Sequence, residues 1–574
     1  MAFVAGFSLI AFVTLVVALN AIGFLAGFDV SKWFVVASAF IASAAAFFIL
    51  QKKKISRAWL VPLFTIVAIV GSVLFASTTI DSTYDGNSYH KTAIGALKNG
   101  WNPVYQDINT FNSSDENSHK LVDYLGEDRV NDSPWADSYP KATWIFAASL
   151  YDLTGNIETG KAINLLSIIT VFLLGFSLFY KKMGYKKSIL IAGLTAFNPV
   201  AVAQLFGYFN DGAMGNFIIV IIILLTMIVS QRTKQLGEAG ILPYVGLGLV
   251  IVFVVNMKFT GLAYAGITIA CYWVYLMIVR DWKKVIVLSV TSAVAVLFAL
   301  LVVGASSYVK NVSAHSNPLY PLIGENSIDI MTHNQPASYA DKSGVHKFIE
   351  ANLGSTANIL REPSLKIGDT DFKVPFTISI DELTVLGSDP DVRQAGYGVW
   401  FGGILILSLG LAVYLLIRYA KHYKKYLPLF LLPVASVAII ALAFDNSWWA
   451  RYLPQLALIP IIVLVTTLLL RKKLWSLVLI FTMLFNMLLI LSLQYDYQSK
   501  YTNAINTNIT IHLPCKSAEP AQVFGLGFLS GAMYNVWDRC ENIKLLNSNE
   551  FKADHVDKAT RLVTDIYLAP ARSR

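Results

Sequence analysis

Charged residues are scarce in this sequence. Only 14% of the 574 positions are Asp, Glu, Lys or Arg, against 55% hydrophobic residues and a mean hydropathy of +0.57. That balance excludes an ordinary soluble fold and makes the bilayer the solvent. Three cysteines cannot build a disulfide framework; Cys271 lies inside an apolar run, which leaves Cys515 and Cys540 as the one conceivable pair. No Walker-type P-loop, HExxH or CxxC occurs, so ATP hydrolysis and zinc-protease chemistry have no support. A net charge of +9 would suit a nucleic-acid partner only if the basic residues clustered on a soluble surface; here they punctuate apolar runs. No cleavable leader is expected, because the first apolar run, Phe3 to Phe28, is long enough to span and has no basic stretch before it.

What is present is a series of apolar runs near the roughly 20 residues that a span needs. They begin at Phe3, Trp33, Ala58, Gly160, Ser188, Gly212, Ile241, Phe259, Val285, Gly396, Leu427, Tyr452 and Leu474. A further segment, Tyr139 to Gly155, is short and carries Lys141 and Asp152, which predicts a helix lying at the membrane surface. Six short basic connectors (52–57, 181–187, 232–234, 280–284, 418–425 and 471–473) should be cytoplasmic by the positive-inside rule. Thirteen spans starting inside satisfy all six; counting the Tyr139 segment as a span would put 181–187 outside. The expected fold is therefore an all-α polytopic membrane protein of about 13 transmembrane helices. Residues 1–495 form the membrane domain with outer loops at about 77–160 and 306–397, and 496–574 form a small extracytoplasmic domain. The outer segments hold most of the Asp, His and Asn residues, so chemistry is expected outside. No nucleotide triphosphate is normally available there, and an activated group carried on a lipid is the expected donor.

The most informative stretch is Asp81-Ser-Thr-Tyr-Asp85-Gly-Asn-Ser-Tyr89-His90-Lys91, just beyond the third span. A partly desolvated carboxylate there suits acceptance of a proton from an attacking hydroxyl. Equally, Asp81 and Asp85 could cap a helix over Asn87 to Leu97. Asp85-x-x-x-Tyr89-His90 resembles the first-loop motif of bacterial type C (GT-C) membrane glycosyltransferases. Tyr139-Pro140-Lys141, Asn198-Pro199 with Tyr208-Phe-Asn-Asp211-Gly212, Asn256-Met-Lys258-Phe-Thr260-Gly261, Asn317-Pro-Leu-Tyr-Pro321 and Trp448-Trp449-Ala-Arg451-Tyr452-Leu-Pro454-Gln455 are similar to further elements of that superfamily. The resemblance covers about residues 58 to 470.

The resemblance implies a polyprenyl-phosphate sugar as donor, an inverting displacement, and an aspartate of the first outer loop as base. By position Asp85 is that base and Asp81 the fallback. Lys141, Lys258 and Arg451 are the expected donor-phosphate ligands. Arg451 leads because it lies at the outer end of a span, against the positive-inside bias, and its fork suits phosphate oxygens; the plain alternative is an arginine snorkelling beside Trp448 and Trp449. Lys258 has the same two readings. Asp211 could bind a divalent cation, hold a sugar hydroxyl or form a turn with Gly212. Tyr89, His90 and His333 are candidates for positioning substrate or loop, with His90 alternatively an ordinary surface residue. Oxygen ligands from Asp81, Asp85 and Asp211 would suit magnesium or manganese, which some members of the superfamily need. The loop carrying His315, His333, Asn334 and Gln335 has the composition of an acceptor groove or of a passive cover. The acceptor would be an envelope glycan, lipid or protein. The rival reading is a transporter or flippase, whose ionisable residues would sit nearer the midplane, in matching halves.

Overall fold

The structure is a computed structural model. It describes the chain apart from residues 109–110, 112–132, 232–237, 325, 330, 332–333, 358–371, 420–426, 518, 526–529, 541, 546–558, 564–565 and 569–574.

Among the described residues, nine helices are long and apolar enough to cross a membrane, and three more apolar helices are shorter, Gly240–Val255, Leu427–Ala443 and Pro454–Leu469. One of the nine, Ile157–Ala196, is two helices. Gly184 breaks it with φ 74°, a left-handed conformation that glycine adopts without Cβ cost. A Cβ on Gly175 would lie 3.6 Å from Ala192, and the Phe176 ring lies 5.8 Å from that of Tyr185, so the two arms run back along each other as a hairpin. With its arms counted separately, each of the thirteen apolar runs corresponds to a helix, and the basic connector 181–187 is the tip of the hairpin.

The helices that position the site are α1 (Ala2–Leu25), α2 (Lys32–Lys52), α3 (Leu60–Ser77), α4 (Lys91–Lys98), α5 (Ala142–Thr154), α6 (Ala162–Ala196, the hairpin), α7 (Asp211–Ser230), α8 (Glu238–Val255), α9 (Phe259–Ile278), α10 (Trp282–Phe298), α11 (Phe401–Tyr419), α12 (Leu427–Ala443), α13 (Leu458–Leu469) and α14 (Lys473–His512). Helices α1 and α7 are apolar on every face, and 78% and 83% of their central windows are buried, so they form the middle of the bundle. Helices α2 and α10 are mostly exposed (28% and 22% buried) and turn Phe40, Phe48, Ile286 and Val290 outward, as expected of hydrocarbon-facing walls.

The Tyr139 segment departs from expectation. Residues 142–151 of α5 are all buried, packed on α1, α2 and α4; α5 is covered by protein and does not turn a polar face to water. Its two charges misled because both are satisfied. Lys141 donates to backbone carbonyls of Asp137 and Tyr139, and Asp152 accepts from the Lys32 backbone N–H at the start of α2 (2.8 Å).

Helix α14 runs unbroken across the expected domain boundary at 495/496 and ends at His512. Beyond it lie β1 (Ala521–Gly525), helix α15 (Met533–Trp537), β2 (Ile543–Leu545), β3 (Thr560–Val563) and β4 (Ile566–Leu568). The strands form one sheet in the order β2-β1-β4-β3, with β1 parallel to β2 and antiparallel to β4. Its core includes Val523, Val536, Leu562 and Ile566 together with Ile505 and Ile509 of α14. Cys515 and Cys540 are disulfide-bonded.

Candidate functional site

The chain leaves α3 through a turn built on Asp81. That carboxylate accepts from the Thr83 backbone N–H and hydroxyl (both 3.0 Å), Thr83 Oγ1 accepts from Gly86 N–H (3.1 Å), and Asn87 donates to the Asp81 and Thr83 carbonyls. A Cβ at Gly86 would fall 1.7 Å from Asp81 Oδ2, so only glycine permits the turn. Asp81 is fully buried, and burial raises its carboxyl above the ordinary range. It builds the loop.

Asp85 is placed differently. It precedes the turn of π-helix Gly86–His90 but makes no side-chain cap bond. Its Oδ2 instead meets Arg451 Nη2 at 2.8 Å and accepts from the Tyr89 hydroxyl at 3.3 Å. The side chain keeps 19% of its surface open. Burial would raise this carboxyl, but the Arg451 guanidinium overrides it and holds the group below its usual range, so it is ionised at neutral pH. His90 is buried under Tyr89, and its Nδ1 accepts from Trp144 Nε1 (2.5 Å). Burial lowers it to about 4. It is neutral at physiological pH, and it is not a surface residue.

Arg451 is the hub. It sits in a short 3₁₀ turn, Ala450–Tyr452, ahead of α13. Its Nη2 holds Asp85, its Nε holds Asp211 Oδ2 (2.8 Å) and its Nη1 holds Asp391 Oδ2 (2.9 Å). The guanidinium carbon lies 4.5 Å from the Phe209 ring centre and 5.3 Å from that of Trp449. A snorkelling arginine would reach for water; this one is 9% exposed and bonds a carboxylate from each of its three nitrogens. Asp211 Oδ1 pairs with Lys258 Nζ (2.6 Å), which also lies over Tyr452. Asp391 Oδ2 pairs in addition with Arg393 Nη1 (2.5 Å). Burial pushes Asp391 up to about 6 against the pull of both guanidiniums. The site thus holds three carboxylates and three cations, balanced in charge, on the ends of α7, α9 and α13, the loop after α3 and the segment before α11.

Asp391 and Arg393 belong to the loop 306–397 and were not anticipated. Their signal was present: Asp391-Val-Arg393 places an arginine at the end of the Gly396 span that the charge bias predicts to be outer, the same exception that singled out Arg451. Lys141 stands apart from the hub. Its ammonium is buried and bonds the Ser306 carbonyl (3.2 Å) and Ser307 Oγ (3.4 Å) as well as its own loop, tying the first loop to the segment after α10; burial lowers it to about 7. His333 lies outside the described residues, whereas its neighbour Asn334 accepts from Arg393 Nη2 (2.8 Å). His315 stacks on Tyr320 (3.7 Å). Asp85 and Asp211 each commit an oxygen to Arg451 while Asp81 faces its own turn, so the three do not converge. Among the described residues, no group of three His, Cys, Asp or Glu side chains is arranged to hold a metal ion.

A second buried ionic cluster backs the first loop. Glu158 pairs with Lys91 (2.7 Å) and Lys161 (2.8 Å), and Asn535 of α15 bonds both Lys91 and Glu158 (2.7 Å each). Asp538 accepts from the Tyr151 hydroxyl (2.6 Å) and from Ile157 N–H (2.7 Å). The C-terminal unit is thereby docked against the loop that carries Asp85.

No protein-family profile matches the sequence, and the comparison with curated protein sequences returns no match. Among solved structures, the chain is similar to ArnT from Cupriavidus metallidurans. The crystal structure bound to undecaprenyl phosphate matches with 12% identity, 86% coverage of both chains and a TM-score of 0.44. The apo structure matches with 12% identity, 85% coverage of both chains and a TM-score of 0.43. At that identity and TM-score, the functional reading rests on the site itself.

Proposed function

We propose that this protein is an inverting glycosyltransferase that moves a sugar from a polyprenyl-phosphate donor to an envelope glycan, lipid or protein acceptor on the outer side of the membrane. One observation carries the reading. Asp85 and Arg451 come from two sequence elements that resemble the same superfamily, they are 366 residues apart, and they meet at 2.8 Å. A transporter reading would need such groups near the midplane; here they gather at helix ends.

In this reading Asp85 takes the proton of the acceptor hydroxyl as its oxygen attacks the anomeric carbon. The bond from that carbon to the phosphate oxygen breaks on the opposite face, and the anomeric configuration inverts. The departing lipid phosphate carries negative charge, and Arg451 and Lys258 are the cations placed to receive it in a poorly hydrated site. Both are held by carboxylates, so donor binding would exchange carboxylate contacts for phosphate contacts. Arg451 Nη1 is the natural point of exchange, because Asp391 keeps Arg393 when it lets go.

The outer location fits the Cys515–Cys540 disulfide, which an oxidising compartment maintains, and the docking of that unit at the Asp85 end of the bundle. The division into a membrane domain and a C-terminal extracytoplasmic unit is part of the proposal, with the change of character at the end of α14. The test is transfer from radiolabelled polyprenyl-phosphate sugars to membrane extracts by the purified protein and its Asp85→Asn form. Transfer by the first and its loss in the second is expected; no transfer from any donor would overturn the assignment.

A further inference from the structure

The wall formed by Asp391, Arg393 and Trp449 contains more unused hydrogen-bonding capacity than the hub requires. Asp391 Oδ1, Arg393 Nε and Trp449 Nε1 are all buried without a hydrogen-bond partner, as is Trp448 Nε1. These residues are 8%, 4%, 3% and 1% exposed, respectively. They are contiguous: Arg393 Nη1 bonds Asp391 Oδ2, the Arg393 guanidinium carbon lies 3.9 Å from the Trp449 ring centre, and Trp448 and Trp449 stack at 5.7 Å. Folded proteins leave few buried polar atoms unpaired, and those left at one place call for an explanation. The hub's ion pairs do not use them: Asp391 meets both Arg451 and Arg393 through Oδ2, and Arg393 bonds Asp391 and Asn334 through Nη1 and Nη2.

The chemistry of the unused atoms is specific. Asp391 Oδ1 can only accept, whereas Arg393 Nε–H and Trp449 Nε1–H can only donate. A hydroxyl group offers one donor and two acceptor positions, so neighbouring sugar hydroxyls satisfy one acceptor and two donors together. Charge argues the same way. Asp391 and Arg393 cancel, and Arg451 with Lys258 is matched by Asp85 and Asp211, so the wall has no surplus charge to attract an anion or a cation. Its place is also specific: Asp391 bonds Arg451 Nη1 at 2.9 Å, one hydrogen bond away from the guanidinium that holds the proposed base.

We infer that Asp391, Arg393 and Trp449 form the subsite that reads the hydroxyl edge of the sugar being transferred. This rests on the glycosyltransferase reading and adds to it the residues that select the donor sugar. In the proposed reading Arg451 and Lys258 receive the phosphate, so Arg393 and Trp449 should govern which sugar is used more than how tightly the lipid carrier binds.

The test uses the purified full chain with polyprenyl-phosphate glucose, galactose, mannose and arabinose, each beside its monodeoxy analogues. Release of the sugar to water is read in parallel, so that donor and acceptor effects separate. The wild-type protein should prefer its parent donor over at least one deoxy analogue by about 10²-fold or more in kcat/KM, since sites built to bond a hydroxyl discriminate strongly against its loss. Trp449→Phe keeps ring packing and removes one N–H, and Arg393→Lys keeps the charge and removes Nε. Each should cut that ratio by roughly tenfold, the scale of one hydrogen bond, in hydrolysis as in transfer. An unchanged ratio in both variants, or an equal slowing of parent and deoxy donors, would overturn the subsite and leave these atoms to ordered water. A ratio that changes only in transfer would move the subsite to the acceptor and overturn the inference as stated. Failure of the wild-type protein with every donor would instead remove the glycosyltransferase reading itself.

Discussion

Removal of Arg451 should cost stability through one carboxylate in particular. In Arg451→Ala, Asp211 keeps Lys258 at 2.6 Å and Asp391 keeps Arg393 at 2.5 Å, whereas Asp85 keeps only the Tyr89 hydroxyl at 3.3 Å. Breaking a buried pair by deleting one partner costs about 3–5 kcal/mol because a charge is left uncompensated. Asp85 retains 19% exposure, which places the expected loss near the lower end, about 3 kcal/mol. The cause can be isolated by adding Asp85→Asn. In the Arg451→Ala background this second change removes the stranded charge and should restore about 2 kcal/mol, so the two substitutions couple strongly. The pH dependence should also reverse. With Arg451 present the Asp85 carboxyl is depressed, so its contribution is present above the unfolded pKa and is lost as pH falls below it. Without Arg451, burial dominates and raises the carboxyl, so the variant should gain stability relative to the parent as pH falls from 7 toward 4. Thermal unfolding of the purified proteins in detergent at several pH values measures both effects. A coupling energy below about 0.5 kcal/mol, the range of independent sites, would refute the hub.

Asp85→Asn alone should fold, bind donor and lose about 10²- to 10⁴-fold in turnover, the scale of a positioned acid–base group; Asp81→Asn should instead lower thermal stability, and turnover measured beside unfolding separates the two. Gly95→Ala should weaken docking of the C-terminal unit, because the added Cβ would lie 1.9 Å from the Tyr534 ring; the expected cost is about 1–3 kcal/mol of overpacking, read as faster proteolysis of the tail. Tyr185→Cys, at an exposed position of the hairpin tip, should resist an impermeant thiol reagent in intact cells and react after permeabilisation. Labelling in intact cells would contradict the thirteen-span topology.

The helices were legible because a membrane span must be apolar along its whole length, and the basic connector 181–187 marked a turn even within an almost continuous apolar stretch. The Asp85 and Arg451 elements were legible through their neighbours in sequence, and their contact was not, since 366 residues separate them. Asp391 stayed hidden among the other acids of a long loop until its pairing with two arginines was seen. Lys141 and Asp152 were misleading for a physical reason. Polar residues signal a surface only when water must satisfy them, and here backbone carbonyls and an N–H do so inside the protein.

Helix α14 also acts as a rail for the loop that carries Asp85. At 1.5 Å per residue its 40 residues reach about 60 Å, about twice the hydrocarbon thickness, and Ile505 and Ile509 near its end pack into the core of the β-sheet before residues 513–520 lead to β1. Along that length Gln498 donates to Ser82 Oγ (2.9 Å) and Thr502 Oγ1 accepts from Ile80 N–H (2.9 Å). An unbroken helix has a phase: one inserted residue turns everything beyond it by about 100°. Such an insertion between Gln498 and Thr502 would therefore put Ile80 and Ser82 out of register with each other. One placed after Thr502 would leave that rail intact and rotate Asn535 away from Lys91 and Glu158. The spacing of polar residues on the last helix thus sets the orientation of the C-terminal unit and the height of the first loop together, as one rigid gauge.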